Sequence, residues 1–218
     1  MENIKIALVG YKGKMGSVVF ETLAKNYFVI GIGRNDEICE NVQLVIDFAS
    51  AESSAKYAEW CKQRKIPLII GSTGQNTKQM KIILSASKET PIFMAGNFSV
   101  GANNLKRALK SLITQDAQDV IIFEKHHKTK KDAPSGTAKE IAKFITHNFN
   151  IEPNIVFERG GKEIGTHLVD IYYENELVTI EHKAFSRQAF ADGVMKVVKF
   201  IQKVTKSGFY SMEDIKIL

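Results

Sequence analysis

Short apolar runs rich in β-branched residues alternate with longer amphipathic segments through the first half of the chain. Such runs predict buried strands, and apolar residues three to four positions apart predict helices. The predicted strands are Lys5–Val9, Phe28–Ile32, Leu44–Phe48, Pro67–Ile70 and Pro91–Met94, and the predicted helices are Met15–Lys25, one capped by Ser50 and ending near Arg64, and Lys78–Ser87. This alternation predicts an α/β fold with a Rossmann-like, doubly wound parallel sheet.

The pattern changes after Gly101. It predicts helices near Asn103–Leu112, Thr137–His147 and Gln188–Lys203, a strand at Val120–Glu124, and two strands of alternating polarity around Glu174-Asn175. Alternating strands joined by a tight turn favour antiparallel pairing. We therefore expect a second, α+β domain with a mixed or antiparallel sheet over residues 98–185. Residues 1–97 and 186–218 would form the first domain.

Composition bounds the class of protein. The chain has 218 residues, of which 44% are apolar and 25% charged, so it can build a core and is not expected to be disordered. A net charge of +6 and a pI near 9.1 indicate an anionic partner. Nucleic acid, phosphate cofactors and carboxylate substrates all remain open at this point.

The two cysteines and the N-terminus indicate where the protein works. Cys39 and Cys61 have neither metal-site spacing nor the numbers of a disulfide framework, which predicts free thiols in a reducing cytosol. The apolar run Ile4–Val9 is too short for a signal peptide or a membrane span. We therefore expect a soluble, cytoplasmic protein with no membrane contact.

A glycine-rich loop, GYKGKMG, lies between the first predicted strand and helix. Glycines let a backbone turn tightly and approach a pyrophosphate, whose charge is held at the helix N-terminus. An ordinary turn can carry similar glycines, but the strand–loop–helix context favours dinucleotide binding. The predicted cofactor-binding residues here are Gly10, Tyr11, Lys12, Gly13, Lys14 and Met15.

Three further strand ends support a cofactor cleft, because ligands of open parallel sheets lie beyond the carboxyl ends of the strands. The fourth predicted strand ends in GSTG and the fifth in AGNFSVG. The second ends in Arg34 without a preceding acid, which favours a ribose phosphate over a ribose hydroxyl. The predicted cofactor residues of these loops are Arg34, Gly71, Ser72, Thr73, Ala95, Gly96, Asn97 and Phe98.

The segment KHHKTKKDAPSGTA, Lys125–Ala138, concentrates four lysines and two histidines before a predicted helix start. A lysine run is most often a solvated face, and nucleic-acid binding is the next generic interpretation, but the run contains no interleaved aromatic residues. Cations beside a helix N-terminus, with its free N–H groups and positive dipole end, suit a small carboxylate better than a polymer.

With Glu124, this segment closely resembles the signature E-x-H-H-x-x-K-x-D-A-P-S-G-T-A of the dihydrodipicolinate reductase family. We call Glu124–Ala138 the signature segment. The loops GYKGKMG, GSTG and GNFSVG are similar to that family's cofactor loops, and RGGKEIGTH and HKAFSRQAFADG resemble its later segments. The resemblance covers nearly the whole chain.

The resemblance implies a reduction of 4-hydroxy-tetrahydrodipicolinate with NADPH or NADH in the diaminopimelate route to lysine. By matched position, His126 would be the general acid and Lys130 a second proton-handling residue. His127, Ser135, Gly136 and Thr137 would bind the substrate carboxylates. It also implies a homotetramer, with residues 98–185 binding substrate and forming the subunit contacts, and no metal or nucleic acid.

Three departures from the family pattern bear on the cofactor. Lys14 stands where an arginine is usual, the chain is much shorter between Asp36 and Leu44, and Arg34 stands where a ribose-binding acid is expected. A different Rossmann-type amino-acid dehydrogenase is the alternative enzyme. A cofactor-sensing or nucleic-acid-binding protein without catalysis is the alternative outside enzymes.

Overall fold

The computed structural model describes residues 4–34, 36–38 and 41–215. Its contacts divide the chain into two compact units, Met1–Phe98 with Phe190–Leu218, and Ser99–Ala189. Cys39 lies outside the described residues, whereas Cys61 is the buried free thiol that the sequence predicts. Among the residues that the structure describes, no helix is both long and apolar enough to cross a membrane.

The elements alternate as the hydrophobic pattern predicts. The strands are β1 (Lys5–Val9), β2 (Phe28–Ile32), β3 (Leu44–Asp47), β4 (Leu68–Ile70), β5 (Pro91–Met94), β6 (Asp119–His126), β7 (Asn154–Arg159), β8 (Gly165–Tyr172), β9 (Leu177–Ala184) and β10 (Gly208–Tyr210). The helices are α1 (Lys14–Leu23), α2 (Ala51–Arg64), α3 (Thr77–Ala86), α4 (Val100–Leu112), α5 (Gly136–Phe149) and α6 (Gln188–Ile201).

The first unit contains one six-stranded sheet in the order β10-β5-β4-β3-β1-β2, with every described pairing parallel. Its strands are continuous apolar runs because both faces are covered. Ile46 faces the cluster that contains Val197 of α6, and its neighbour Val45 faces the cluster that contains Ala58 of α2. The predicted Rossmann-like fold class is confirmed.

The second unit contains a four-stranded mixed sheet in the order β7-β6-β8-β9. β6 pairs in parallel with β7 and antiparallel with β8, which pairs antiparallel with β9. One face packs on α4 and α5 in a cluster that includes Leu109, Val120, Ile141 and Val169. The predicted hairpin around Glu174-Asn175 is present, closed by a hydrogen bond from Tyr173 N to the Glu176 carbonyl (2.9 Å).

Two strands have no clear signal in the sequence. β7 is a largely exposed edge strand, and β10 is only three residues long, after the polar segment Thr205–Ser207. The last element that the sequence predicts is the helix Gln188–Lys203. In the structure, α6 is followed by β10, which pairs with β5 from Gly208 opposite Pro91.

Candidate active site

The glycine loop after β1 is shaped by close backbone contacts. Gly10 has a φ of +77°, and a Cβ there would lie 2.9 Å from the Ala49 nitrogen. A Cβ at Gly16 would lie 2.1 Å from the Gly10 carbonyl oxygen. Only glycine allows the loop to turn this way and α1 to pack so closely on it. These are the backbone features that a pyrophosphate site requires.

The N-terminus of α1 is open to an anion. Its N-cap, Gly13, has no side chain to accept the first-turn N–H groups, and Lys12 and Lys14 beside it are exposed. The Tyr11 ring instead packs on Phe20, with centroids 5.8 Å apart, and over Gly31, where a Cβ would lie 2.6 Å from it. The N-terminus of α1 therefore suits a dinucleotide phosphate, which its backbone N–H groups and the flanking lysines could bind.

Two cavities lie at the carboxyl ends of the strands in the first unit. One, of about 650 Å³, includes the predicted residues Gly10, Tyr11, Lys12, Gly13 and Arg34 in its lining. The other, of about 340 Å³, includes Met15, Gly71, Ser72, Thr73, Gly96 and Phe98. Three predicted cofactor residues line neither cavity, namely Lys14, Ala95 and Asn97.

A buried carboxylate that the sequence analysis does not single out connects two of these strand ends. Asp47, fully buried, accepts hydrogen bonds from the Ala49 nitrogen (2.9 Å) and the Ser54 hydroxyl (2.6 Å). The Ser54 hydroxyl is also hydrogen-bonded to that of Ser72. Burial raises the pKa of Asp47, against the lowering effect of its hydrogen bonds. This network fixes the loops after β3 and β4.

The end of β2 carries both charges noted in the sequence. Arg34 is exposed on the wall of the larger cavity, whereas Asp36 turns back so that its carboxylate accepts a hydrogen bond from the Gly33 nitrogen (2.7 Å). Among the described residues of the connection 33–43, no helix or strand intervenes before β3. The Asp36 carboxylate is therefore occupied in shaping the loop.

The Glu124 carboxylate is the centre of the second unit's polar site. Its side chain is fully buried, and it accepts hydrogen bonds from the Ser135 nitrogen (3.0 Å) and Arg159 Nη2 (2.7 Å). Its other oxygen is hydrogen-bonded to Nδ1 of His126. Three segments that are separate in the chain thus meet at one carboxylate.

A row of histidines crosses the sheet beside Glu124. His167 of β8 lies opposite Glu124 and also opposite His182 of β9. The rings of His126 and His167 meet edge to face with centroids 5.3 Å apart, and those of His167 and His182 stack at 6.3 Å. Because side chains two apart on a strand share a face, Glu124 and His126 point to the same side as this row.

The N-cap serines of the two helices hold the row in place. Ser135, the N-cap of α5, is hydrogen-bonded to Nε2 of His167 (3.2 Å), and Ser99, the N-cap of α4, to Nε2 of His182 (3.2 Å). The Nδ1 atoms of both histidines are buried without a partner among the described residues. Each serine therefore connects a helix N-terminus to the imidazole row.

Burial and charge set the protonation states of the cluster. Burial raises the pKa of Glu124, but the hydrogen bonds from Arg159, Ser135 and His126 outweigh it, so the pKa is lowered. Burial lowers the pKa of His126, against Glu124, which raises it. Burial, with the charges of the neighbouring histidines, lowers the pKa of His167 to about 3. Glu124 is therefore a carboxylate and the imidazoles are neutral at neutral pH.

The other predicted site residues lie on the loop that follows β6 and at the start of α5. Lys130 Nζ donates to an Asp132 oxygen (2.8 Å), and His127 Nδ1 is hydrogen-bonded to the Thr129 hydroxyl (2.8 Å). Gly136 is exposed and open to surrounding space in the first turn of α5, followed by the half-buried Thr137. Cations, hydroxyl groups and a helix N-terminus are thus near one another, as carboxylate binding requires.

The remaining lysines of the signature segment differ from Lys130. Lys125 points to the opposite face of β6 and pairs with Glu158 of β7 (2.8 Å). Lys128 and Lys131 are exposed. Of the lysines in the signature segment, Lys130 is the one whose charge lowers the pKa values of His126 and His167.

The spacing of the cluster also suits a metal ion, since ligand atoms of Glu124, His126 and His167 lie within 4.8 Å of one another. However, both Glu124 oxygens and the Nδ1 of His126 are already hydrogen-bonded. The charges of Arg159 and Lys130 nearby oppose a further cation. The arrangement is better suited to holding and moving a proton.

Sequence reasoning did not assign roles to Glu124, Arg159, His167 or His182. The sequence did contain an indication of this cluster. The spacing Glu124-x-His126 places both side chains on one face of a strand, and Gly165-x-His167 has the same two-residue spacing on β8. What the chain alone could not give was the register that sets β6, β8 and β9 side by side.

The fold and these loops define a class of protein: a Rossmann-type nucleotide-binding protein with a second unit that carries a buried cluster of one carboxylate and three imidazoles. The family models described as dihydrodipicolinate reductase, N-terminus and C-terminus, match residues 28–98 and 101–215. The chain belongs to the dihydrodipicolinate reductase family, as the resemblance of the signature segment predicts.

Curated relatives cover nearly the whole chain. A 4-hydroxy-tetrahydrodipicolinate reductase of Clostridium perfringens (strain SM101 / Type A) is 34% identical over 249 positions, 97% of this chain and 98% of its own. One of Thermosipho africanus (strain TCF52B) is 36% identical over 219 positions, 97% of each chain. The first alignment spans 249 positions against the 218 residues of this chain, whereas the second spans 219, so the Thermosipho africanus relative is close to this chain in length.

Solved structures support the fold. A dipicolinate-bound dihydrodipicolinate reductase from Paenisporosarcina sp. TG-14 superposes with a TM-score of 0.80 at 22% identity, covering 98% of this chain and 100% of its own. An aspartate dehydrogenase from Thermotoga maritima gives 0.57 at 13% identity, with coverages of 93% and 99%. At these identities the likeness concerns the fold alone.

The buried, neutral His167 predicts a pH dependence of stability. An unfolded histidine has a pKa near 6.5, whereas His167 has one of about 3. Below about pH 6.5 the unfolded chain binds a proton that the folded chain does not, so stability is lost as pH falls. Between about pH 6 and pH 4, His167→Gln should remove about 1.4 kcal/mol per pH unit of this loss. Denaturant unfolding of both proteins measures it, and parallel curves would contradict the prediction.

Proposed function

We propose that this protein catalyses the NAD(P)H-dependent reduction of 4-hydroxy-tetrahydrodipicolinate to tetrahydrodipicolinate, with loss of water, in the diaminopimelate route of lysine biosynthesis. One hydride and one proton enter the substrate, and its hydroxyl group leaves as water. The supporting observation is the Glu124–His126 pair beside the cations and helix start of the signature segment. The names of the curated relatives support the same reaction.

His126 is proposed as the general acid. Its Nδ1 is held by the Glu124 carboxylate, which leaves Nε2 as the nitrogen that can deliver a proton. A Cβ at position 165 would lie 2.8 Å from that Nε2, so Gly165 keeps the space beside it open. Orientation of an imidazole by a carboxylate on its other nitrogen is a common way to fix a catalytic proton.

Binding of the substrate would favour the protonated form of His126. Burial lowers the pKa of His126, so the imidazole is mainly neutral without a ligand. A dicarboxylate adds negative charge, which raises the pKa of a nearby imidazole and favours the protonated form. His126 would then carry its proton when the substrate is bound, and Lys130 would act as the second proton-handling residue.

The carboxylates are proposed to bind at the start of α5. Ser135, Gly136 and Thr137 provide first-turn N–H groups and hydroxyls at the positive end of the helix, and His127 adds a ring on the same loop. Lys130 is bound to Asp132, an ion pair that a substrate carboxylate could replace. These groups bind negative charge, and His126 supplies the proton.

The reduced nicotinamide, when bound, supplies the hydride. Gly10–Met15 would hold its pyrophosphate through the loop backbone and the N-terminus of α1, with Arg34 at the ribose. Gly71, Ser72, Thr73, Gly96 and Phe98, which line the smaller cavity, would lie at the nicotinamide end, with Ala95 and Asn97 on the same loop. We propose that both NADPH and NADH are used and that NADPH has the lower KM.

The proposal is tested by following NAD(P)H absorbance in an assay coupled to the enzyme that makes the substrate. We expect turnover with both cofactors. In His126→Gln, kcat should fall about 10²-fold or more, because the proton donor is lost, while the Kd for NADPH stays almost unchanged. No turnover with either cofactor would overturn the function, and an unchanged kcat in His126→Gln would remove His126 from the mechanism.

The lysines of the signature segment provide a matched set of variants. Lys130→Ala should lower kcat severely, because Lys130 is the lysine whose charge acts on His126. Lys125→Ala and Lys128→Ala should have small effects that fade as the salt concentration rises. Equal losses in all three variants would indicate a diffuse electrostatic role instead.

We propose that the protein is a cytoplasmic homotetramer assembled through the outer face of the second unit's sheet. This face carries Phe123 of β6 next to Val156 of β7 and Leu168 of β8. Tyr172 and Leu177 extend it. Exposed apolar side chains on adjacent strands can bury one another against a second sheet.

Sedimentation at micromolar concentration measures the assembly. We expect a tetramer for the wild type and smaller species for Phe123→Glu, because the charge would be buried in the interface. Phe28→Glu serves as the control, since Phe28 is exposed but lies in the first unit. A wild-type monomer would contradict the proposal, as would a Phe123→Glu tetramer as stable as the wild type.

A further inference from the structure

The cavity of about 650 Å³ contains a cation that the sequence analysis did not assign, Lys56 of α2. It lies in the second turn of the helix, on the side that also presents Ser53 and Tyr57 to the cavity. Lys56 is exposed, and its Nζ lies 5.5 Å from the centroid of the Tyr57 ring. The ammonium group is therefore at the cavity wall.

Packing places this part of α2 over the end of β2. Tyr57 belongs to the same buried cluster as Ile32, the last residue of β2, and Ile38 of the following loop. Burial and then the charges of Asp47 and Asp36 raise the pKa of Tyr57, so both the β3 end and the loop after β2 lie near it. Lys56 therefore faces the region where a Rossmann fold holds the adenosine ribose.

The side chains that line this cavity carry an excess of positive charge. Among the residues that the structure describes, its lining contains Lys12, Arg34 and Lys56 but a single acid, Glu52. Within the described part of the chain, none of the three cations forms an ion pair with a carboxylate. Asp36, which could bind ribose hydroxyls, is hydrogen-bonded to the Gly33 nitrogen instead.

We infer that Lys56 is a cofactor-specificity residue that binds the 2′-phosphate of NADPH together with Arg34. Lys12 belongs to the glycine loop and is left for the pyrophosphate. Two cations from different elements, β2's end and α2, would hold the phosphate from two directions. This inference rests on the proposed use of NAD(P)H and adds a residue outside the glycine loop and β2.

Two nucleotides that differ only in the phosphate at issue provide the test. Calorimetry would measure the Kd of 2′,5′-ADP and of 5′-AMP for the wild type, Lys56→Gln and Arg34→Gln. The wild type should bind 2′,5′-ADP more tightly. Each variant should weaken 2′,5′-ADP about fivefold to tenfold, as expected for loss of one partly exposed ionic contact, and change 5′-AMP less than about twofold.

Matched controls separate this effect from general charge and stability. Lys62→Gln removes the same charge from the same helix outside the cavity, and should leave both Kd values unchanged. Glu52→Gln removes an acid from the cavity lining and should tighten 2′,5′-ADP binding. The thermal midpoint of Lys56→Gln should match that of the wild type, because Lys56 is exposed.

Three results would overturn the inference: an unchanged Kd for 2′,5′-ADP in Lys56→Gln, equal weakening of both nucleotides, or no wild-type preference for 2′,5′-ADP. Each is distinguishable from failure of the proposed reaction. In every one of these cases, turnover with NADH in the coupled assay would still support the reductase function.

Discussion

The hydrogen bonds that converge on the Glu124 carboxylate are the interaction on which the rest of the proposed site depends. This side chain has no contact with solvent, and it joins His126, the backbone at Ser135 and the guanidinium of Arg159. Removing one partner of a buried ionic cluster typically costs about 3–5 kcal/mol, because the remaining charge is left uncompensated. Separating these groups would therefore destabilise the folded protein. The same contacts fix the positions of the His126 imidazole, the start of α5 and the end of β7.

The two units present different groups that suit the binding of an anion. In the first unit the essential feature is bare backbone: glycines at positions 10 and 16 allow contacts that no side chain would permit, and the start of α1 has no side-chain cap. In the second unit it is a set of polar side chains, with an N-cap serine contacting each of two buried histidines. Exposed cations add charge to both units, and Asp47 in the first serves as a loop anchor comparable to Glu124.

Most of the fold followed from hydrophobic periodicity, because long or fully buried elements leave a strong pattern. β1, β2 and β5 were predicted to the residue, α2 with its N-cap Ser50 and an end near Arg64, and the remaining predicted elements to within a few residues. The edge strands β7 and β10 were missed because exposed or three-residue strands carry little periodic signal. The signature segment also drew attention to His126, which the structure places beside the Glu124 carboxylate. The positions of His167 and His182 beside it depend on strand register, and the position of Lys56 at the cavity depends on helix packing. Neither can be read from spacing along one chain.

The pH dependence of kcat in Glu124→Gln, compared with that of the wild type, shows whether the Glu124 carboxylate sets the protonation of His126 as the catalytic acid. An acid that must be protonated loses activity as pH rises through its pKa. Glu124 raises the pKa of His126, against burial and the charges of Lys130 and Arg159, which lower it. With the carboxylate neutralised, the fall in kcat should therefore move to lower pH, in a variant whose unfolding midpoint shows that it is folded. A profile that keeps the wild-type position, in a folded and active Glu124→Gln protein, would contradict the account.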